Sequence, residues 1–418
     1  MSDLLFLVQR IPYPPTKGEK IRHYRFLRHL AGRFRVHLGC FVDDPLDWDG
    51  VETLRALCAD THFAPLDRRR ARVTCLRGLL TGAPLTTTYF QSRRLQAWVD
   101  RVLRETRPQV AVMCSSMMAR FVLGRVLRPP RLVMDFCDVD AEKWRAYADS
   151  APWPASAVYR REGRRLLDFD RGVARAVEAS VFVSEPEAAL FRHLAPESAD
   201  RVTAVANGVD FDFFSPERAY PVPDDAPPSD ATGPAFVFTG TMDYRPNVEA
   251  VVWFAHEVMP LIRQRVPAAR FVIVGASPAP AVRALDRLPG VTVTGRVADV
   301  RPYLAHAQAA VAPLFIARGL QNKVLEAMAM ARPVIVSPQA LEGIDAEPGR
   351  EVLLATDAAT FAEEACRLAL MGDSHDIGGA ARRKILASWA WPARLAALDR
   401  IVDGTWPAAH AGCPRRIA

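Results

Sequence analysis

Lys323 and Glu326 stand three residues apart in the run Asn322-Lys323-Val324-Leu325-Glu326-Ala327-Met328, which follows a strand-like segment. At that spacing a cation and a carboxylate leave one face of a helix near its start. Taken alone they read as a surface ion pair. Arg318 and Gly319 precede them in the same strand-to-helix loop. A second such loop, Phe238 to Asn247, carries Gly240, where a substrate can approach the backbone closely, and Arg245, a residue type that clamps phosphates. Asn247 in that loop reads as a helix N-cap. A third pair, Arg296 and Val297, follows the end of a strand at Gly295. Near the N-terminus the loop Pro12 to Lys20 holds Gly18 at a helix entrance, where an anion meets the positive end of the helix dipole. That loop has neither the G-x-G-x-x-G nor the G-x-x-x-x-G-K-[ST] spacing, which disfavours a dinucleotide or P-loop site. Glycines with cations at strand-to-helix loops point to a phosphorylated ligand.

The elements that must position these residues alternate. In the first half, strands are expected at 3–9, 35–42, 109–116, 131–138, 179–184 and 201–206, with helices at 18–31, 51–58 and 155–177. The strands are mostly continuous Val, Ala, Leu and Phe, as in a parallel sheet covered on both faces. Residues 214–234 hold six prolines and little periodicity, so a linker or long surface loop is expected there. The grammar then restarts, with strands at 235–241, 269–275, 291–295, 309–314, 333–337 and 351–355. Helices are expected at 248–266, 279–288, 320–331 and 360–371, and a last amphipathic helix at 388–403. The reading is α/β, with two doubly wound parallel-sheet domains.

The chain has 418 residues, 50% hydrophobic and 24% charged, with a formal net charge of +7. That length suits two or three domains, and the apolar fraction excludes disorder and fibrous repeats. No uncharged apolar run approaches the ~18 residues of a membrane span. Met1-Ser2-Asp3 and the short apolar run after it do not read as a signal peptide, so a cytoplasmic location is expected. Seven scattered cysteines with no C-x-x-C pair give no support to a zinc site or a disulfide framework. The strings Asp138-Val139-Asp140, Asp168-Phe169-Asp170 and Asp210-Phe211-Asp212 are near chance, and the histidines lack ligand spacing, so no metal and no cofactor is expected. The charge is uneven: residues 1–206 carry a net +9 and residues 207–418 a net −2. Two basic stretches, Arg68 to Leu80 and Arg160 to Arg165, lie in the first half, which points to an anionic partner there. No nucleic-acid motif accompanies them.

Taken together, Asn207-Gly208-Val209-Asp210, the Gly240 loop, Val274-Gly275, Thr294-Gly295-Arg296 and above all Lys323-Val-Leu-Glu326-Ala-Met-Ala-Met-Ala-Arg-Pro333-Val resemble the nucleotide-sugar domain of GT-B glycosyltransferases, in the retaining group called glycosyltransferase family four. The resemblance spans roughly residues 201–340. The whole chain resembles the sugar transferases of bacterial exopolysaccharide clusters, including those accompanying the PEP-CTERM/exosortase system. It implies two Rossmann-like domains facing a central cleft. An N-terminal acceptor-side domain would span 1–206, rejoined by a C-terminal helix at about 388–404. A donor domain would span 207–387.

The resemblance also implies roles. Glu326 matches the second Glu of the family's E-x7-E motif and would hold the donor ribose. Arg318 stands where the first Glu would contact the sugar, a departure that suits a phosphate or a carboxylated sugar. Arg245 and Lys323 would neutralise the donor diphosphate, and Arg296 and Val297 would flank the base. Gly240 and Gly319 would line the donor site, and Gly18 an acceptor or phosphate loop. The implied activity is retaining, metal-independent transfer of a sugar from a nucleotide-diphosphate sugar to a lipid-linked or glycan acceptor, at the anionic inner membrane surface and without nucleic acid. The alternatives are a sugar-nucleotide 2-epimerase of the same fold and a non-catalytic sugar-binding protein.

Overall fold

The computed structural model describes residues 1–15, 18–223, 233–317, 319–373 and 376–406. The chain forms two compact units, Met1–Ala206 together with the chain from Leu395 onward, and Asn207–Arg394. Residues 224–232 of the proline-rich segment lie outside the described residues.

The first unit is built on seven parallel strands: β1 (Asp3–Val8), β2 (Arg35–Val42), β3 (Asp60–Pro65), β4 (Val110–Cys114), β5 (Arg131–Cys137), β6 (Ala179–Phe182) and β7 (Val202–Ala204). Their order is β3-β2-β1-β4-β5-β6-β7. The residues of β4 are buried throughout and those of β1 from Leu4 to Val8, which is why these strands lack polar alternation. β3 was not expected from sequence. It is an edge strand, half-exposed, and its Asp60, His62 and Pro65 break the apolar pattern of the interior strands.

Arg22, on the helix Gly18–Ala31, is fully buried and ties three elements together. Its Nε and Nη2 donate to Asp135 Oδ2 and Oδ1 on β5 at 2.8 and 2.9 Å. Its Nη1 donates to the Val205 carbonyl beyond β7 at 2.6 Å. The last helix, Trp391–Asp403, is anchored in the same unit, where Arg33 grips Asp399 and Asp403 and His29 meets Asp399 at 2.8 Å. The expected start of this helix at 388 is corrected: Ser388 ends a separate helix, Ile377–Ser388.

The second unit has six parallel strands: β8 (Ala235–Thr239), β9 (Arg270–Val274), β10 (Val291–Gly295), β11 (Ala309–Ala312), β12 (Val334–Val336) and β13 (Leu353–Leu354). Their order is β10-β9-β8-β11-β12-β13. The direction of winding therefore reverses between β8 and β11, the point where ligands bind in open α/β sheets. The helix expected over 248–266 is three consecutive pieces, Arg245–Trp253, Phe254–Val258 and Met259–Arg265. In the middle piece Met259 N–H reaches back five residues to the Phe254 carbonyl, one residue before Pro260 removes a helix donor.

Candidate functional site

The two loops at the reversal point of the second sheet meet side by side. β8 ends at Thr239, and the chain then folds across the end of β9, with Gly240 N–H donating to the Val274 carbonyl at 3.0 Å and Met242 N–H to the Ala276 carbonyl at 2.9 Å. Two glycines make this possible. A Cβ on Gly275 would lie 1.6 Å from the Gly240 carbonyl oxygen. A Cβ on Gly240 would lie 2.7 Å from Asn247 Nδ2 and 3.3 Å from Lys323 Nζ. The backbone at Gly240 thus forms the floor beneath these two side chains.

Lys323 comes from the helix Asn322–Ala329, which follows β11. Its Nζ donates to Asn247 Oδ1 at 2.6 Å and sits 4.0 Å from the Phe238 ring centroid. Asn247 Nδ2 in turn donates to the Thr241 carbonyl at 2.9 Å, which fixes the orientation of the amide. Asn247 is therefore not the helix cap expected from sequence. It is the third residue of a helix beginning at Arg245, it is buried, and its side chain bridges the glycine loop and Lys323. Burial pushes the Lys323 ammonium down to about 7, opposed by the nearby Glu326 charge. Burial likewise pushes the Glu326 carboxyl up to about 7, opposed by Lys323. Both shifts come from burial, so an anion placed beside the pair would favour its protonated forms.

The start of the Lys323 helix is also tied to the beginning of the unit. Asn207 Nδ2 donates to Asn322 Oδ1 at 3.2 Å. Next to it, a Cβ on Gly208 would lie 2.7 Å from the Trp391 backbone nitrogen, and Val209 N–H donates to the Trp389 carbonyl at 2.8 Å. The Asn-Gly-Val string thus locks two distant segments of the unit together.

Of the remaining sequence candidates, Arg245 opens the helix that carries Asn247, and its Nε donates to Glu249 Oε1 at 2.6 Å. Arg296 is exposed and Val297 half-buried, just beyond β10. Gly319 adopts a left-handed φ of 67° in the loop before the Lys323 helix. Arg318 lies outside the described residues. So does Lys17, while Gly18 is exposed at the first position of its helix. Nearby Lys20 is already committed, donating to Asp47 Oδ2 at 2.6 Å.

In the first unit, Asp138, set aside in the sequence as part of a chance D-x-D string, has a strongly shifted carboxyl, as does buried Asp170. Asp138 follows the end of β5, and burial pushes its carboxyl up to about 7 against the pull of Lys143, whose Nζ lies 4.0 Å away. Lys143 also donates to Asp140 at 2.7 Å, so an ammonium already bridges the two acids of that D-x-D string. No sequence signal marks Asp138, because its shift comes from burial. His23, Cys114 and Asp135 converge closely enough to suggest a cation site. Both oxygens of Asp135 are taken by Arg22, however, and the guanidinium charge stands where a cation would be opposed.

Residues 233–370, from the strand β8 onward, match the protein family described as glycosyl transferases group 1. This stretch contains the whole Gly240–Asn247–Lys323 junction. No curated protein sequence matches the chain. The architecture is that of GT-B glycosyltransferases. The sucrose-phosphate synthase of Thermosynechococcus elongatus superposes with a TM-score of 0.69 at 18% identity, covering 98% of this chain and 100% of that one. WaaG, a glycosyltransferase involved in lipopolysaccharide biosynthesis, gives 0.65 at 14% identity, covering 96% and 100%. Anabaena HepE, solved in complex with UDP-glucose, gives 0.64 at 14% identity, covering 97% and 99%. Among the described residues no helix is long and apolar enough to cross a membrane.

Proposed function

We propose that the protein is a retaining glycosyltransferase that takes a sugar from a nucleotide-diphosphate sugar and passes it to a lipid-linked or glycan acceptor in envelope or exopolysaccharide synthesis. The observation that carries this reading is the junction at the reversal point of the second sheet, where Lys323 Nζ is held by Asn247 above the bare backbone of Gly240. Diphosphate is the leaving group of such a transfer and departs with growing negative charge. A lysine protonated on anion binding stabilises that charge where it develops, and Arg245 at a helix start adds a second cation. Glu326, on the same helix as Lys323, suits the donor ribose, and its near-neutral carboxyl is a hydrogen-bond donor as well as an acceptor at pH 7. The matching family and the UDP-glucose complex of HepE support a nucleotide sugar as donor.

The protein supplies the cations in this scheme, so transfer is expected to survive a chelator. A panel of UDP-, GDP- and ADP-sugars, scored for release of nucleoside diphosphate with and without EDTA, tests both points. Release from none of them contradicts the reading, and strict dependence on a divalent ion contradicts the metal-independent part of it. The near-neutral Lys323 and Glu326 also favour a second reading, a sugar-nucleotide 2-epimerase of the same fold using that pair as acid and base. Product analysis separates them, since an epimerase returns the sugar altered at C2 rather than transferred.

A further inference from the structure

The two basic stretches of the first unit are 83 residues apart in sequence between Gly78 and Arg161, yet they form one surface. The first folds as two short helices, Arg68–Cys75 and Arg77–Thr81, followed by a third, Leu85–Tyr89. The second stretch lies on the long helix Ala155–Ala176. Arg161 Nη2 donates to the carbonyls of Gly78 and Ala83 at 2.6 and 3.3 Å. Buried Glu162 accepts from the backbone N–H groups of Leu85 and Thr86 at 2.7 and 2.9 Å and from the Thr86 hydroxyl at 2.8 Å. The short helices are thus clamped to the long one by a charge pair that spans their connecting turn.

This clamp presents two chemistries side by side. On the short helices Val73, Leu76, Leu79 and Leu80 are exposed, Leu80 to 91%, while Ala71 and Gly78 face inward. Arg69, Arg72 and Arg77 are exposed, alternate in sequence with these apolar residues and make no ion pair among the described residues. Beside them a cavity of about 340 Å³ is lined by Arg161, Arg164, Arg165 and Asp168. Arg164 and Arg165 are exposed and form no ion pair among the described residues, and Arg161 Nη1 is buried with no hydrogen-bond partner. Arg165 Nη2 reaches to within 4.0 Å of the Cβ position of Gly82, at the end of the second short helix. Arg161 is already paired with buried Glu162, its Nη1 lying 3.9 Å from Glu162 Oε2, so Arg164 and Arg165 against Asp168 leave the cavity net positive, which suits a phosphate-type anion. Exposed leucines interspersed with arginines on a short amphipathic segment are the pattern of a surface that enters the interface of an anionic bilayer.

We propose that this face docks on an anionic phospholipid surface, with a lipid phosphate in the Arg161–Arg164–Arg165 cavity and Leu76, Leu79 and Leu80 sunk among the acyl-chain ends. The apolar cluster selects a membrane over nucleic acid, which offers nothing for four exposed aliphatic side chains. The assignment is independent of the donor site, because its readout is vesicle binding.

The test is co-sedimentation of the full chain with vesicles of phosphatidylcholine alone or mixed with phosphatidylglycerol, at low and high salt. The wild type should bind only the mixed vesicles and release in high salt. Arg164→Ala/Arg165→Ala and Leu79→Ser/Leu80→Ser should each weaken binding by roughly tenfold or more, from lost phosphate contacts or lost apolar insertion. All four positions are exposed, and an unchanged circular dichroism melt verifies that each variant folds. Equal binding to both vesicle types, or full binding by either double variant, overturns the proposal. So does capture by inorganic phosphate or by a duplex oligonucleotide without any capture by vesicles.

Discussion

Among the described residues, Lys323 Nζ has one hydrogen-bond acceptor, Asn247 Oδ1, and one aromatic face, Phe238. Neither carries a charge, and that explains why burial dominates its protonation. The sign of the consequence is fixed. Both phosphates of a nucleotide sugar stay ionised across the neutral range. A bound diphosphate favours the protonated form of Lys323 and of Glu326 alike, so both are pushed up from about 7. Binding then takes up protons, and affinity for the donor falls as pH rises through 7, by up to about tenfold per unit for each proton taken up. Calorimetric titrations in buffers of different ionisation enthalpy measure that uptake, and an affinity that rises with pH contradicts it. Asn247→Ala removes the acceptor that aims the ammonium at the glycine loop. It is expected to weaken donor binding by about 1 kcal/mol, read from the same titrations.

The loop after β8 packs on the end of β9 only because Gly275 has no side chain, and it lies under Asn247 and Lys323 only because Gly240 has none. Gly240→Ala puts a Cβ against Asn247 and Lys323, so it is expected to cost most of the donor affinity while lowering stability by only about 1–3 kcal/mol, measured by urea unfolding. Retained affinity in a folded Gly240→Ala protein contradicts that role for the loop. At this scale much was legible from sequence: the interior strands are apolar runs because both faces are covered, and the loops between them hold the glycines and cations. β3 escaped because it is an edge strand that carries Asp60, His62 and Pro65. Asn247 was misread because an asparagine at a helix start is also what a cap requires, and its real partner, Lys323, is 76 residues away. The clamp of Arg161 and Glu162 on the short helices escaped for the same reason, since non-local hydrogen bonds leave no periodicity.

Across the whole chain, the cationic excess and the candidate donor junction fall in different units, +9 over residues 1–206 and Lys323 within Asn207–Arg394. The segregation was readable by counting charges, whereas the near-neutral carboxyl of Asp138 was not, because it depends on what the fold packs around it. The proposed lipid-facing surface lies in the basic unit and the proposed donor junction in the other. The proposed donor binding by the second unit rests on Lys323. Isothermal titration of the full chain with UDP-, GDP- and ADP-sugars, repeated on Lys323→Ala, tests it most directly. Saturable binding of at least one donor is expected, with a loss of roughly 1.5–3 kcal/mol in the variant, whose helix tolerates alanine. Unchanged affinity in a folded Lys323→Ala protein, or no binding of any donor by the wild type, would contradict it.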